Sequence, residues 1–353
     1  MEAAQRNQPA PFPDVLRRLL EGATFDRAQA RAVMETVLCG EATDAQIASL
    51  LTVLRVRGET TDELVGFAEA MRAHARPIFS PDGRPQGALV DTCGTGGDGA
   101  GTFNVSTAAA FVVAGAGVRV AKHGNRSLSS RCGSADVLEA LGVNLLAEPA
   151  RIAAAICEVG IGFIFAPAVH TAMKHAQKAR RDLRFRTVFN LLGPLTNPAG
   201  VDAQVVGVFD AHWLEPVARA LGELGVRRAF VLHSQDGLDE ASLSAPTAVA
   251  ELHQGTVRQY EITPEQFGLT HAPREALLGG EPVTNARIIE AVFHGLPGPQ
   301  RDVVVMNAAL GLLAADADAD FKEAAARARQ AIDSGAARQR LRALAEFSAS
   351  PSP

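Results

Sequence analysis

Two hydrophobic rhythms divide the chain. Over residues 14–75 the apolar positions, such as Ile47, Leu50, Leu51 and Leu54, recur three to four apart, which predicts amphipathic helices. From residue 87 onward, short apolar runs of strand length alternate with helical segments. The first rhythm predicts a small helical bundle without strands. The second predicts a mostly parallel sheet covered by helices on both faces.

Apolar runs supply the strands of the predicted sheet. Six of them lie at 87–91, 118–121, 143–146, 161–165, 203–208 and 228–233. Two further runs, 247–252 and 256–262, are separated by His253, Gln254 and Gly255, which predicts a hairpin added to the sheet. The helical rhythm returns after Asn285, and residues 348–353 have the composition of a tail.

These patterns predict an α/β fold with a small all-α N-terminal domain and a mostly parallel central sheet flanked by helices. The stretch 77–86, rich in Pro and Gly, marks the connection between the two layers. We expect residues 1–82 to form the small domain, with the segment 180–202 packing on it. The large domain would comprise 83–179 and 203–353.

Bulk composition excludes several classes of protein. The chain has 353 residues, 47% of them hydrophobic and 21% charged, which is typical of a globular protein with a sizeable core. Its formal net charge of −5 argues against a general nucleic-acid-binding protein, so affinity for phosphate must come from a local cluster. The four cysteines form no CxxC pair, and no apolar stretch reaches membrane length. The N-terminus lacks a basic segment followed by an apolar one, so we expect no signal peptide. We therefore expect a cytoplasmic protein with reduced thiols.

The most informative stretch is the glycine-rich loop DTCGTGGDGAG at 91–101. It follows an apolar run and precedes the sequence NVST at 104–107, which opens a helix rich in Ala and Val. A strand, a bare backbone loop and a helix N-terminus direct several N–H groups toward one anion. The literal GxGxxG match is weak, because the next strand leads into a cationic loop rather than the acidic residue of a dinucleotide site. A polyphosphate is the favoured ligand.

A second candidate loop, KHGNRSLSSRCGS, covers residues 122–134. It places three cationic side chains and several hydroxyls directly after an apolar strand, where α/β proteins bind ligands. A solvated loop could have this composition, but a loop that closes over pyrophosphate explains it better. Ser134 starts a helix and could be a cap, a ligand or both. Ser106, in the first loop, could likewise cap its helix or ligate Mg²⁺.

Two further segments carry charged side chains that could bind a metal ion or a substrate. The run DGLDE at 236–240 follows a predicted strand, and its adjacent carboxylates suit either a solvated turn or a hard cation such as Mg²⁺. Arg180 and Arg181 are surface charges on a helix or a fork for a substrate carboxylate. His170 has no acidic neighbour in sequence, which favours a packing role over that of a general base.

Taken together, these motifs resemble the anthranilate phosphoribosyltransferase family over nearly the whole chain. The matching motifs are GTGGD at 94–98, NVST at 104–107, KHGNR at 122–126, FNLLGPLTNP at 189–198 and DGLDE at 236–240. The resemblance implies transfer of a 5-phosphoribosyl group from its 1-diphosphate to the amino group of anthranilate, with release of pyrophosphate. It also implies Mg²⁺ as cofactor, an active site between two domains, and a homodimer formed through the helical domain, with no nucleic acid or membrane partner.

The resemblance also assigns roles to residues. Lys122, Asn125 and Arg180 would be catalytic, and Ser106, Asp239 and Glu240 would bind Mg²⁺. Anthranilate would contact Gly94, Asn125 and Arg180, with Arg180 facing its carboxylate. The phosphoribosyl diphosphate would contact Gly94, Gly97, Asp98, Thr102, Asn104, Val105, Ser106, Thr107, Lys122, His123, Gly124, Asn125, Arg126, Ser127, Leu128, Ser129, Ser130 and Ser134.

The chain departs from the family pattern at a few positions. Arg184 stands where the family often has Gly, and would be strained if that turn needs a positive φ. Ala168 and Val169 replace a bulkier or polar pair, which would widen the acceptor channel. Arg131 and Cys132 take places more often held by Lys and Ser.

Two rival functions follow from the same features. A pyrimidine nucleoside phosphorylase shares the two-domain plan but has no need of the carboxylate pair Asp239 and Glu240. A non-catalytic relative could bind nucleic acid in the cleft, although the acidic net charge opposes this.

Overall fold

The computed structural model of the chain describes residues 11–80, 82–127 and 131–349. The chain divides into two compact units. The first runs up to Ala75 and resumes over His170–Thr196, and the second comprises Arg76–Val169 and the chain from Asn197 onward. The segment that returns to the helical unit is thus 170–196, where the sequence predicts 180–202.

Helices and strands follow one another along the described residues. The helices are α1 (Phe12–Leu20), α2 (Arg27–Leu38), α3 (Asp44–Arg57), α4 (Thr61–Ala73), α5 (Val105–Gly115), α6 (Ser134–Ala140), α7 (Pro149–Glu158), α8 (Ala166–Val169), α9 (Lys174–Leu183), α10 (Val188–Leu195), α11 (Leu214–Glu223), α12 (Pro282–Phe293), α13 (Pro299–Ala314), α14 (Phe321–Asp333) and α15 (Ala336–Ala349). The strands are β1 (Leu89–Gly94), β2 (Arg119–Gly124), β3 (Ile161–Phe165), β4 (Ala203–Gly207), β5 (Arg228–Ser234), β6 (Thr247–His253) and β7 (Thr256–Ile262).

The first unit is helical, as the sequence predicts: α1–α4, α9 and α10 belong to it. Its helix starts are set locally, since Asp26, Thr43 and Thr60 each accept a hydrogen bond from the N–H three residues later. Each such cap stabilises a helix by about 1 kcal/mol. The apolar stripe of α3 is buried, so this face forms the core of the bundle.

The second unit is built on a seven-stranded sheet in the order β3-β2-β1-β4-β5-β6-β7. Five strands are parallel, and β6 and β7 form the predicted antiparallel hairpin. The predicted fold class is confirmed. The carboxyl ends of the parallel strands lie at one edge of the sheet, and Gly94 of β1 pairs with Gly207 of β4 there.

The predicted strand at 143–146 is wrong. These residues are turns between α6 and α7, although Val143 and Leu145 are buried. The Asn144 N–H donates to Ser348 Oγ at 2.9 Å, and its side-chain amide donates to the Ser348 carbonyl at 3.2 Å. Because Asn144 forms its hydrogen bonds with the C-terminal helix, the segment does not pair with a strand of the described sheet. Its apolar residues serve the core rather than a sheet.

Two helices under the sheet set the position of the candidate site. Residues 303–314 of α13 are buried throughout, and α5 packs against this helix. The packing is close, because a Cβ on Gly311 would lie 2.8 Å from Val113 Cγ2. None of the described helices combines the length and hydrophobicity needed to cross a membrane.

Arg184 ends α9 in the left-handed region, with φ 54° and ψ 20°. The turn therefore does need the positive φ that the sequence comparison with the family suggests. A side chain in this conformation costs roughly 1 kcal/mol relative to glycine.

We predict that Arg184→Gly raises the free energy of unfolding by about 0.5–1 kcal/mol, because it removes this strain. Urea unfolding followed by circular dichroism measures the change. Arg184→Ala is the matched control, since it removes the same side chain and keeps the Cβ. Equal stabilisation by both variants would assign the effect to the exposed guanidinium instead of the backbone.

Candidate active site

The glycine-rich loop leaves β1 at the parallel edge of the sheet. Gly96, Gly97, Gly99 and Gly101 adopt φ between 63° and 79°, a conformation that other residues rarely take. The Thr95 N–H donates to the Gly207 carbonyl at 2.8 Å, so the loop continues the pairing of β1 with β4 for one residue. The loop therefore brings a main chain with few side chains to the carboxyl edge of the sheet.

The acidic turn 236–240 is pressed against the ends of β1 and β4. A Cβ on Gly207 would lie 1.5 Å from the Asp239 carbonyl oxygen, and one on Gly94 would lie 2.8 Å from Asp239 Oδ2. The Gly96 N–H donates to Asp239 Oδ2 at 3.0 Å. The absence of side chains at both strand ends thus lets the turn reach the glycine loop.

Asp236 holds the start of the turn. Its Oδ2 accepts hydrogen bonds from the Ser242 hydroxyl, at 2.6 Å, and from the Ser244 hydroxyl. These bonds outweigh burial and keep the pKa of Asp236 below its usual range. Asp236 is therefore ionised and fully engaged within the protein, which leaves Asp239 and Glu240 as the carboxylates that face the loop.

The protein does not fully stabilise the ionised forms of Asp239 and Glu240. Burial raises the pKa of Asp239 well above its ordinary value, and the negative charges of Asp98 and Glu240 raise it further. Burial also raises the pKa of Glu240 to about 7, against the opposing effects of the Lys122 charge and the Ser106 N–H. Three carboxylates crowd one place, and a divalent cation there would relieve their repulsion.

Oxygen donors of the kind that Mg²⁺ prefers meet at this place. The Ser106 N–H donates to Glu240 Oε1 at 3.2 Å, so the first turn of α5 touches the acidic turn. Among the described residues, no three His, Cys, Asp or Glu side chains form a group that could hold a metal ion by themselves. The predicted ligands Ser106, Asp239 and Glu240 thus fit a cation whose other ligands come from a phosphorylated substrate.

Lys122 lies beneath the loop, within the core of the sheet. Its side chain is 2% exposed and its ammonium donates to the Thr92 carbonyl. Burial lowers its pKa, which the negative charge of Asp91 opposes. Asp91 is itself held by the His123 N–H at 3.1 Å and the Asn197 amide at 2.8 Å. Lys122 thus supplies buried positive charge between Asp91 and Glu240.

The N-cap residue Asn104 does not cap α5 with its side chain, and the Ser106 N–H in the first turn of the helix donates to Glu240 Oε1. Asn104 precedes the helix, but its amide donates to the Cys132 carbonyl at 3.1 Å and its Oδ1 accepts from Asn285 at 2.9 Å. Of the two roles open to this motif, Asn104 therefore does not cap. It ties α5 to the 125–134 loop instead.

Asp136 closes the base of the 125–134 loop. Its Oδ2 accepts from the Ser127 N–H at 3.1 Å and the Gly133 N–H at 2.9 Å, which joins the two arms. Arg126 is also engaged, since its guanidinium contacts Asp136 and Glu139 at 2.8 Å. The positive charge of Arg126 is thereby already neutralised.

Several of the residues predicted to contact the phosphoribosyl diphosphate have buried side chains. Val105, Thr107 and His123 are at most 6% exposed, so their main chain is what remains available. Thr102 forms an isolated antiparallel bridge with Leu278. Asn125 is exposed, and its Oδ1 accepts from the Arg126 N–H at 2.7 Å. The predicted contacts Leu128, Ser129 and Ser130 lie outside the described residues.

Close packing also constrains Gly124 and Ser134, at the two ends of this loop. A Cβ on Gly124 would lie 2.2 Å from Ser134 Oγ, and that hydroxyl donates to the Asn125 carbonyl at 3.3 Å. Ser134 thus begins α6, as predicted, and fastens the loop to it. Its hydroxyl already has a partner within the protein.

Arg180 belongs to the helical unit. It lies on α9 with its guanidinium carbon 5.0 Å from the Phe189 ring centre. Burial lowers its pKa, and no hydrogen bond or ion pair engages its side chain within the described chain. A desolvated guanidinium without a counterion is suited to bind an anion.

Cys93 and His170 are poor candidates for reaction chemistry. Burial raises the pKa of the Cys93 thiol well above its usual value, so it stays protonated. Burial lowers the pKa of His170 to about 4. The shift of His170 agrees with the packing role that the sequence favours for it.

Sequence reasoning missed the residues that hold the site from a distance. Asn197 and Asn307 are each 2% exposed, and they bind Asp91 and Ala241 respectively. Asn197 lies within the FNLLGPLTNP motif at 189–198, yet nothing local reveals the partner of either residue. For Asn307, a lone amide within an apolar run was the available signal.

We predict that Gly207→Ala lowers the free energy of unfolding by about 3 kcal/mol or more, because its Cβ cannot coexist with the Asp239 carbonyl. Gly193→Ala is the matched control, since its Cβ would meet nothing within 4 Å. Chemical denaturation measures both. Tolerance of alanine at 207 would contradict the close approach of turn and strand.

Comparisons with known proteins agree with this geometry. Residues 13–75 match the helical bundle domain of a glycosyl transferase family, and residues 86–338 match its a/b domain. Anthranilate phosphoribosyltransferase of Symbiobacterium thermophilum is 54% identical over 94% of this chain and 96% of its own length. The enzyme of the same name from Solibacter usitatus is 55% identical over 95% of this chain and 98% of its own length.

Solved structures show the same likeness. The crystal structure of anthranilate phosphoribosyltransferase from Thermus thermophilus matches with a TM-score of 0.90 at 45% identity, over 96% of this chain and all of that one. The enzyme from Saccharomyces cerevisiae, solved in complex with PRPP and Mg, matches with a TM-score of 0.87 at 26% identity, over 97% and 98% of the two chains. This chain belongs to the anthranilate phosphoribosyltransferase family.

Proposed function

We propose that this protein transfers the 5-phosphoribosyl group of PRPP to the amino group of anthranilate, with release of pyrophosphate. It is a Mg²⁺-dependent glycosyltransferase of tryptophan biosynthesis. One observation carries the proposal: the glycine loop, the start of α5 and the acidic turn meet at the carboxyl edge of the sheet, through Gly96–Asp239 and Ser106–Glu240.

The site is arranged to bind and stabilise a leaving pyrophosphate. The glycine loop and the positive end of the α5 dipole favour negative charge on the diphosphate. Ser106, Asp239 and Glu240 would hold Mg²⁺, which supplies positive charge to the departing oxygens. Lys122, which is buried beneath the loop, would offset the negative charges of Glu240 and Asp91. We propose that its contribution is electrostatic and that direct contact with phosphate comes from the loops.

The acceptor needs orientation more than activation. Arg180 would bind the anthranilate carboxylate, and Asn125 would contact the same substrate. An aromatic amine is weakly basic and is unprotonated at neutral pH, so it attacks the anomeric carbon without a strong general base. The low pKa of His170 is consistent with a reaction that does not rely on that imidazole.

A fluorescence assay of anthranilate consumption tests the activity. The signal should fall only when PRPP and Mg²⁺ are both present, and pyrophosphate should appear in equal amount. Consumption of a pyrimidine nucleoside with inorganic phosphate, in place of this reaction, would establish the phosphorylase alternative.

We further propose a homodimer formed through the helical unit, a cytoplasmic location and no nucleic-acid partner. Leu20 and Val56 of that unit are 73% and 83% exposed, which supports an apolar contact there. Light scattering after size exclusion would give the mass of the assembly.

Arg180→Ala should raise the KM for anthranilate by about 10–100-fold, since it removes a charged hydrogen bond to the carboxylate. The KM for PRPP should stay nearly unchanged. Arg181→Ala, one residue along and exposed, is the control and should leave both constants alone. Equal losses for both substrates in the Arg180 variant would refute the assigned role.

Glu240→Gln should separate stability from activity. The Glu240 pKa rises from 4.5 to about 7 on folding, so the native protein loses stability as pH increases between these values. Glutamine does not ionise, and we expect the variant to be more stable than the wild type by about 1–3 kcal/mol at pH 8 and equally stable below about pH 4.5. Its transferase activity should be lost. Denaturation across this pH range measures the gain, with the exposed Glu158→Gln as control. A stability gain independent of pH would contradict the account.

A further inference from the structure

A single polar side chain interrupts the most deeply buried stretch of α13. Residues 303–314 are otherwise aliphatic, Met or Gly, and Asn307 among them is 2% exposed. Burying an amide without partners costs roughly 1–3 kcal/mol, so an asparagine at this position implies specific hydrogen bonds.

Asn307 makes those bonds mainly to one other residue. The Ala241 N–H donates to Asn307 Oδ1 at 3.0 Å, and Asn307 Nδ2 donates to the Ala241 carbonyl at 2.9 Å. Nδ2 also donates to the Val303 carbonyl, one turn earlier, at 2.9 Å. The side chain thus clamps both backbone groups of Ala241, which directly follows Glu240.

The same helix also fixes the opposite side of the site. Gly311 of α13 lets α5 approach closely at Val113, and the first turn of α5 carries Ser106. The Ser106 N–H donates to Glu240 Oε1. One buried helix therefore sets the position of Glu240 through Ala241 and that of Ser106 through α5.

We propose that Asn307 is a positioning residue for the divalent cation that accompanies the diphosphate. Its clamp on Ala241 holds the Glu240 carboxylate at the right distance from Ser106. The inference rests on the proposed function, because it assumes that these two residues share a cation with PRPP.

Asn307→Ser isolates the clamp. A serine hydroxyl can bond the Val303 carbonyl within the helix, but it is too short to reach Ala241. Calorimetric titration of PRPP into the protein, with Mg²⁺ or with EDTA, measures binding apart from turnover. We expect the dissociation constant with Mg²⁺ to rise about tenfold, and that in EDTA to change by less than about twofold. Hydrogen exchange at the Ala241 amide should accelerate in the variant.

Leu310→Ala is the matched control, because Leu310 is fully buried one turn along the same helix and is not bonded to the acidic turn. It should lower the melting temperature without changing the ratio of the two dissociation constants. Asn307→Leu, which keeps a similar volume and removes both bonds to Ala241 without adding charge, is the second variant if serine prevents folding, and the same loss is expected. An unchanged ratio in the Asn307 variants would overturn the inference. Wild-type protein that binds no PRPP would instead overturn the proposed function.

Discussion

The site depends on how closely the main chain of Asp239 approaches Gly207. With the Asp239 carbonyl where a β-carbon would otherwise be, the acidic turn reaches the point where β1 and β4 end. There it meets the glycine loop through the Gly96 N–H and α5 through the Ser106 N–H. A side chain at position 207 would push the turn away and break the hydrogen bonds between its carboxylates and the Gly96 and Ser106 N–H groups.

This arrangement brings carboxyl groups together in a buried place, where burial makes the ionised form of each unfavourable. Asp239 and Glu240 both have raised pKa values, and the positive charge of Lys122 opposes the rise only for Glu240. A protein of net charge −5 thus binds a polyanion by local means: the glycine loop and the N-terminus of α5 on one side, and carboxylates that require a cation on the other. The cost of ionising these buried carboxyl groups and the affinity of the site for a cation-bearing substrate have the same origin.

Local signals in the sequence predict most of the fold. Alternation of apolar runs and glycine loops places β1, β2, α5 and the hairpin, because each signal lies within the element it specifies. The strand expected at 143–146 fails because its polar groups are taken by Ser348, distant in sequence. Asn307 and Asn197 escape prediction for the same reason, since their partners lie 66 and 106 residues away. Roles taken from the family resemblance, such as that of Arg180 toward anthranilate, stay predictions.

Proton release on binding of Mg²⁺ and PRPP tests most directly whether Asp239 and Glu240 bind the cation. Titration of Mg²⁺-saturated PRPP into the protein at about pH 7.5, in buffers of different ionisation enthalpy, counts the protons exchanged; the substrate phosphates, with a second pKa near 6, are then mostly ionised. The account predicts release of roughly half a proton or more per site, as the raised pKa values of Asp239 and Glu240 fall. Binding with no proton release, or with proton uptake, would contradict it.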